Sequence, residues 1–303
     1  MTGLEIPDEV VQMNLSANGA AGRAWLDSLP ALVDELTARW SLTIGPAFGG
    51  GVVVGFVAPA ERKGGERLVL KVSFVDDETR HESEALRHWD ADGAVRLVDA
   101  DAAMGALLLE RLEPGTPLEA HPDRDTATGL ACALLRRLWI PMPDPHPFTL
   151  VRDLASRLAD ELPKRFERHR RPFDEALLRT AVDLCHDFAS SSEETVLANR
   201  DFHLGNVLAA EREPWVVIDP KPLVGERAFD TGHLVRTLLP ERLDVGSVDA
   251  VVNRLAAELE LEPAHVRAWA LVRSVDDALW GLSTGGTDID WNVRCARLLA
   301  ERL

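Results

Sequence analysis

The chain has 303 residues, 46% hydrophobic and 27% charged, which suits two folded units of unequal size. Its formal net charge of −17 argues against nucleic acid as a partner, because that binding is driven by Lys and Arg on phosphates, and it suits a cationic ligand instead. No apolar run approaches the ~20 residues that cross a bilayer. Residues 1–10 lack a basic-then-apolar leader, and Cys132, Cys185 and Cys295 form neither a CxxC pair nor a disulfide framework. A cytoplasmic protein with reduced, buried thiols and no membrane partner is expected; the oligomeric state stays open.

In chain order, residues 20–40 read as a helix interrupted or restarted at Pro30, with Trp25, Leu29, Leu32, Val33, Leu36 and Trp40 near helical spacing. Residues 41–48, 52–58 and 67–73 are short apolar runs between Gly-rich turns and read as consecutive antiparallel strands. A helix is predicted over 78–91, then a hairpin of 94–99 and 106–112 turning at 101–105. This order describes a small α+β lobe. Pro114, Gly115 and Pro117 then mark a hinge. Beyond it, helices are predicted over 123–138, 150–170, 173–191, 226–239, 246–260, 263–282 and 288–302, after a proline-rich connector at 141–147. Residues 196–218 break the helical run with two brief strands around a polar loop, where chemistry is expected.

That loop reads Asn199-Arg200-Asp201-Phe202-His203-Leu204-Gly205-Asn206, and Val217-Ile218-Asp219-Pro220 follows it. An Asp, an Asn five positions on, and an Asp after an apolar strand are the parts of a kinase catalytic loop and its metal-binding Asp. Phosphoryl transfer needs a carboxylate to orient the attacking hydroxyl and receive its proton, which Asp201 can supply. It also needs hard oxygen ligands for Mg2+, which Asn206 and Asp219 can supply.

The first lobe must then hold ATP. Lys71, in the apolar strand Leu68-Val69-Leu70-Lys71-Val72, is placed to meet phosphates, and it is one of only four lysines (63, 71, 164 and 221) in an arginine-rich chain. Glu82 or Glu84 should hold it. Glu82 is favoured, because Leu86 at plus four shares its face. Gly50, in the run Gly49-Gly50-Gly51, could let backbone N–H groups approach phosphate, although a hairpin turn wants glycine too. The backbone of Glu110 and Leu112 could bind adenine. The nucleotide-binding lobe is accordingly set at residues 1–112 and the catalytic and acceptor-binding lobe at 113–303.

With these residues in view, the chain resembles the aminoglycoside and hydroxyurea phosphotransferase family, in the branch of streptomycin 6-kinases. The resemblance rests on residues 23–30, on Leu108-Leu109-Glu110-Arg111-Leu112-Glu113-Pro114-Gly115-Thr116-Pro117-Leu118, and on Ile218-Asp219-Pro220-Lys221-Pro222-Leu223-Val224-Gly225-Glu226. It implies a two-lobed protein-kinase-like α+β fold, with a small antiparallel-sheet N-lobe and a mostly helical C-lobe. It also implies a family role for each motif residue: Asp201 as catalytic base, Asn206 and Asp219 as Mg2+ ligands, Lys71 as the ATP lysine and Asp230 as a steadying residue.

Two departures stand out. Asn199-Arg200-Asp201 replaces the family's His-Gly-Asp, so Asn199 is expected to brace the loop by other hydrogen bonds. Asp219-Pro220-Lys221 replaces the Asp-Phe-Gly of protein kinases, so a loop that does not flip is expected. Lys221 either contacts phosphate or pairs with a nearby acid. For the acceptor, Asp153, Asp276 and Asp277 are the candidate carboxylates for a cationic aminocyclitol, and Trp280 is a candidate stacking surface. The leading function is ATP-dependent phosphorylation of an aminoglycoside such as streptomycin. The alternatives are another small hydroxyl compound, such as hydroxyurea or a sugar-like metabolite, and a nucleotide-binding protein without turnover.

Overall fold

A computed structural model of the chain describes residues 4–49, 55–191, 195–286 and 288–303. The chain divides into two compact units, Met1–Pro114 and Gly115–Leu303. The first unit opens with a long helix, α1 (Asp8–Trp40), and continues through β1 (Leu42–Ile44), β2 (Phe56–Arg62), β3 (Glu66–Val72), α2 (Glu82–Trp89), β4 (Leu97–Asp101) and β5 (Ala106–Glu110). The five strands form one antiparallel sheet in the order β1-β2-β3-β5-β4.

Alternation along the strands sorts this sheet into two faces. Leu68, Leu70 and Val72 of β3 join Phe56, Ala58 and Ala60 of β2 and Ala106 and Leu108 of β5, and this face packs under Leu29, Val33, Leu36 and Trp40 of α1. Lys71, between two core residues, therefore points to the opposite face. The break in α1 is not at Pro30, which sits inside the helix, but at Gly19, with φ 54° and ψ −125°. That conformation is open essentially to glycine alone. Beyond the break, Gly22 lets the second segment press on the first, since a Cβ there would run into the Asn14 carbonyl oxygen.

The second unit is mostly helical: α3 (Arg124–Leu138), α4 (Val151–Arg168), α5 (Glu175–Ser191), α6 (Thr231–Leu238), α7 (Val245–Leu259), α8 (Pro263–Thr284) and α9 (Ile289–Ala300). The helix α8 is its axis, packed by α4, α5, α6, α7 and α9. Its apolar residues are buried round most of its circumference, as a central helix requires. The short strands are β6 (Pro114–Pro117), β7 (Val196–Asn199), β8 (Val207–Ala210), β9 (Trp215–Val217) and β10 (Pro222–Gly225). The segment expected as a bare hinge thus contains a strand, and the two strands flanking the polar loop belong to different sheets. β7 pairs with β10, whereas β8 lies between β6 and β9. The loop 200–206 spans the two sheets and is pinned at both ends. Among the described residues, no helix is long and apolar enough to cross a membrane.

Candidate active site

In the first unit, both carboxylate oxygens of Glu82 lie 2.7 Å from Lys71 Nζ. The pair is 7% and 3% exposed, so neither charge is screened by bulk water. Lys71 comes from the α1-free face of β3 and Glu82 from the first turn of α2. Glu84 points elsewhere, accepting from Ser83 Oγ at 2.9 Å. The Glu110 side chain accepts from Arg96 N at 2.9 Å, and its own backbone N–H is donated to the Arg96 carbonyl. Gly50 lies outside the described residues, and Leu112 follows the end of β5.

In the second unit, the loop is built around the side chain of Asn199, the last residue of β7, which is 1% exposed. Its Oδ1 accepts two backbone N–H groups, from Asp201 at 3.1 Å and from Lys221 at 3.0 Å. One amide oxygen thus ties the Asp201 loop to the segment after Asp219. Asn199 N donates in turn to Asp230 Oδ1 at 2.9 Å, and Trp139 Nε1 donates to Asp230 Oδ2 at 2.8 Å. Burial pushes the Asp230 carboxyl up to about 8 against these two hydrogen bonds. Three backbone bonds complete the frame: Arg200 N to Lys221 O at 2.9 Å, Ile218 N to Asn206 O at 2.8 Å and Asn206 N to His203 O at 3.0 Å. Phe202 is fully buried beneath the loop.

On this frame Asp201 presents a half-buried carboxylate. Lys221 Nζ lies 3.1 Å from its Oδ2, and Asn206 Nδ2 donates to the Asp201 carbonyl at 3.1 Å, with Oδ2 at 3.4 Å. Of the two roles left open for Lys221, the structure displays the pairing with a nearby acid. Burial alone would raise the Asp201 carboxyl, but the Lys221 ammonium holds it far below the usual carboxylate range. His203 and His233 add little attraction at neutral pH, because burial pushes both imidazoles below their ordinary value, His233 the further. Asp219 sits at φ 50°, a left-handed conformation unusual for Asp and more so before proline. The bonds of Ile218 and Lys221 on either side hold it there. Asn206 turns its amide nitrogen toward Asp201, so that its Oδ1 is not the atom used there, and Asp219 adds a carboxylate. These hard oxygens are the donor set that Mg2+ prefers, so the residues fit that ion.

The acceptor candidates are placed differently from expectation. Asp276 is 3% exposed and is enclosed by Arg165 at 2.9 Å, Arg200 at 3.2 Å and Arg273 at 3.2 Å. Burial alone would raise its carboxyl; the three guanidinium groups lower it instead. Asp277 pairs with Arg236 at 3.2 Å and Arg273 at 3.4 Å. Neither therefore presents an uncommitted carboxylate to a cation; both anchor arginines, one of which is the Arg200 beside Asp201. Asp153 is exposed next to Arg152, and Trp280 is 43% exposed on α8. Sequence reasoning did not single out His203, His233 or Arg236. His203 lies within the Asp201-to-Asn206 spacing and could have been found there, whereas His233, three residues after Asp230, carries no local signal.

A five-stranded sheet bearing a buried Lys–Glu pair, followed by a helical unit with an Asp-x4-Asn loop and a later Asp, defines a protein-kinase-like fold. Solved structures agree. The choline kinase LicA of Streptococcus pneumoniae superposes with a TM-score of 0.65 at 11% identity, covering 90% of this chain and 99% of that one. An aminoglycoside phosphotransferase solved as a ternary complex with ADP and hygromycin B superposes with a TM-score of 0.63 at 18% identity, covering 88% and 97%. The family model for aminoglycoside/hydroxyurea antibiotic resistance kinases matches residues 50–285. The chain is 35% identical over 297 residues to a streptomycin 6-kinase of Streptomyces glaucescens, covering 95% of this chain and 94% of that protein. It is 36% identical over 288 residues to a hydroxyurea phosphotransferase of Kitasatospora aureofaciens, covering 93% and 82%. The chain belongs to the aminoglycoside/hydroxyurea antibiotic resistance kinase family and is a phosphotransferase acting on hydroxyl groups.

Proposed function

We propose that this protein transfers the γ-phosphoryl group of ATP to a hydroxyl of an aminoglycoside of the streptomycin type, with Asp201 as the base. The observation that carries this reading is the Asp201 carboxylate: it is kept ionised by Lys221, and its Oδ1 is not engaged by Lys221 or Asn206. Residues 1–112 would form the nucleotide-binding lobe and residues 113–303 the catalytic lobe. Lys71, braced by Glu82, would meet the phosphates, with the Gly50 region and the backbone of Glu110 and Leu112 contributing to nucleotide binding. Asn206 and Asp219 would hold Mg2+, which when bound neutralises charge on the phosphates. Asp201 would orient the acceptor hydroxyl and take its proton. Asn199 and Asp230 would keep that carboxylate in place.

A second acceptor, hydroxyurea or a similarly small neutral hydroxyl compound, is favoured by one observation. Asp276 and Asp277 already neutralise arginines, which leaves less negative charge for a polycationic antibiotic. The relative at 36% identity bears that activity in its name.

The test is ADP release from Mg2+-ATP with streptomycin, hydroxyurea and simple polyols as acceptors. Turnover with one of them should fall by roughly 10²–10⁴-fold in Asp201→Asn. Tight ATP binding without turnover of any acceptor would refute the reading.

A further inference from the structure

Asp201 is engaged on one side only. Its Oδ2 meets Lys221 and Asn206, whereas its Oδ1 accepts no hydrogen bond among the described residues and faces His233 Nδ1 at 3.7 Å. That separation is beyond a hydrogen bond. His233 Nδ1 is buried and is likewise without a partner.

The state of this imidazole follows from the neighbour on its far side. Arg236 Nη2 lies 3.0 Å from His233 Nε2. A guanidinium can only donate, so Nε2 accepts and the ring proton sits on Nδ1. Arg236 is fixed in turn by Asn292 Oδ1 at 3.2 Å and by Asp277 at 3.2 Å, and the ring of His233 stacks on His203 with centroids 5.0 Å apart. The result is a fixed N–H donor 3.7 Å from the proposed base, with no hydrogen-bond acceptor among the described residues. An oxygen within hydrogen-bond distance of each atom can bridge such a gap, and it would relieve a buried unpaired donor. Ligand atoms of Asp201, His203 and His233 also lie within 4.8 Å of one another, as in a metal site. With Arg236 on Nε2 and the proton on Nδ1, however, His233 has no lone pair for a cation.

We propose that His233 is an acceptor-binding residue. The acceptor hydroxyl sits between His233 Nδ1–H, which donates to its oxygen, and Asp201 Oδ1, which accepts its proton. The inference rests on the phosphotransfer reading above. In the step, the acceptor oxygen forms a bond to the γ-phosphorus while the bond from that phosphorus to the β–γ bridging oxygen breaks. The electron pair leaves with ADP, the hydroxyl proton passes to Asp201 Oδ1, and the His233 proton stays in place. This assigns Oδ1 as the basic oxygen and Oδ2 as the anchored one. It also gives Asp277 a task, through Arg236, in setting the imidazole.

The test compares wild type, His233→Phe and His233→Asn with whichever of streptomycin, hydroxyurea or a polyol the wild type turns over. Phe keeps the ring against His203 and removes the donor; Asn restores an N–H near the Nδ1 position. His233→Phe should lose about 10–100-fold in kcat/KM for the acceptor while its affinity for AMP-PNP stays within about twofold. His233→Asn should recover most of that loss. A Phe variant with wild-type acceptor efficiency overturns the proposal. So does one in which acceptor efficiency and AMP-PNP affinity fall together, since that marks a structural role. If the wild type turns over no acceptor, the phosphotransfer reading has failed, and the His233 inference is decided on imidazole ¹H–¹⁵N correlations of the free protein. An Nδ1–H tautomer at His233 supports it and an Nε2–H tautomer overturns it.

Discussion

Restoring the family residue at position 199 should damage this protein. In Asn199→His, the single amide oxygen that accepts from both Asp201 N and Lys221 N is replaced by a neutral imidazole nitrogen, which accepts one hydrogen bond. One of two backbone donors is then left unpaired at a site only 1% exposed, at a cost of about 1–3 kcal/mol. The larger ring must also be fitted beside Asp230, and overpacking adds about 1–3 kcal/mol. Because part of the strain can relax, a total near 2–4 kcal/mol is expected. For a unit of this size, that lowers the melting temperature by roughly 4–16 °C. The functional consequence follows from the same geometry. The lost bond releases either the backbone of Asp201 or that of Lys221, and a displacement of about 1 Å at a reacting group can reduce turnover about 10²-fold. Calorimetry and acceptor turnover on the same preparations check both effects. An Asn199→His protein as stable and as active as wild type would refute the reasoning, and greater activity would do so more strongly.

Two further outcomes follow from buried charges. Glu82→Gln removes the buried carboxylate that lies 2.7 Å from the Lys71 ammonium, so urea denaturation should show a loss of about 3–5 kcal/mol. The double variant Lys71→Met with Glu82→Leu should regain much of it; equal losses in the single and double variants would refute the pairing argument. Asp230, raised to about 8, holds its proton in the folded state over a range where the unfolded carboxyl has released it. Stability therefore falls as pH rises from about 4 toward 8, by at most about 1.4 kcal/mol per pH unit, and levels off above. Asp230→Asn should lack that slope, so that the stability difference between the two proteins varies with pH over this range, and parallel pH–stability curves would refute it.

Much of this architecture is written locally. The helices of the second unit, from Arg124–Leu138 to Ile289–Ala300, each carry their apolar stripe within a dozen or so residues, and they lie close to where periodicity places them. The choice of Glu82 over Glu84 was legible because a helix four residues on places Leu86 beneath Glu82. The spacing of Asp201, Asn206 and Asp219 is likewise a property of one short stretch of chain.

Other features depend on which distant segments meet. The break in α1 went to Gly19 rather than Pro30, because packing against Asn14 required a close approach that only Gly22 and a left-handed Gly19 permit. Strands β7 and β8, neighbours in sequence, separated into two sheets because their partners β10 and β6 come from other parts of the chain. Asp276 and Asp277 look like open carboxylates on a helix. Arg165, Arg200, Arg236 and Arg273 arrive from three other segments and from α8 itself to neutralise them. His233 shows the same division: its identity is ordinary in the sequence, and only the arrival of Arg236 on one nitrogen and Asp201 near the other gives it a defined proton and a direction. The elements and the spaced acids of the loop are legible along the chain, because backbone periodicity and turn chemistry act over a few residues. The tertiary structure alone decided which charges are neutralised and which remain available, because electrostatic partners are chosen by proximity in space.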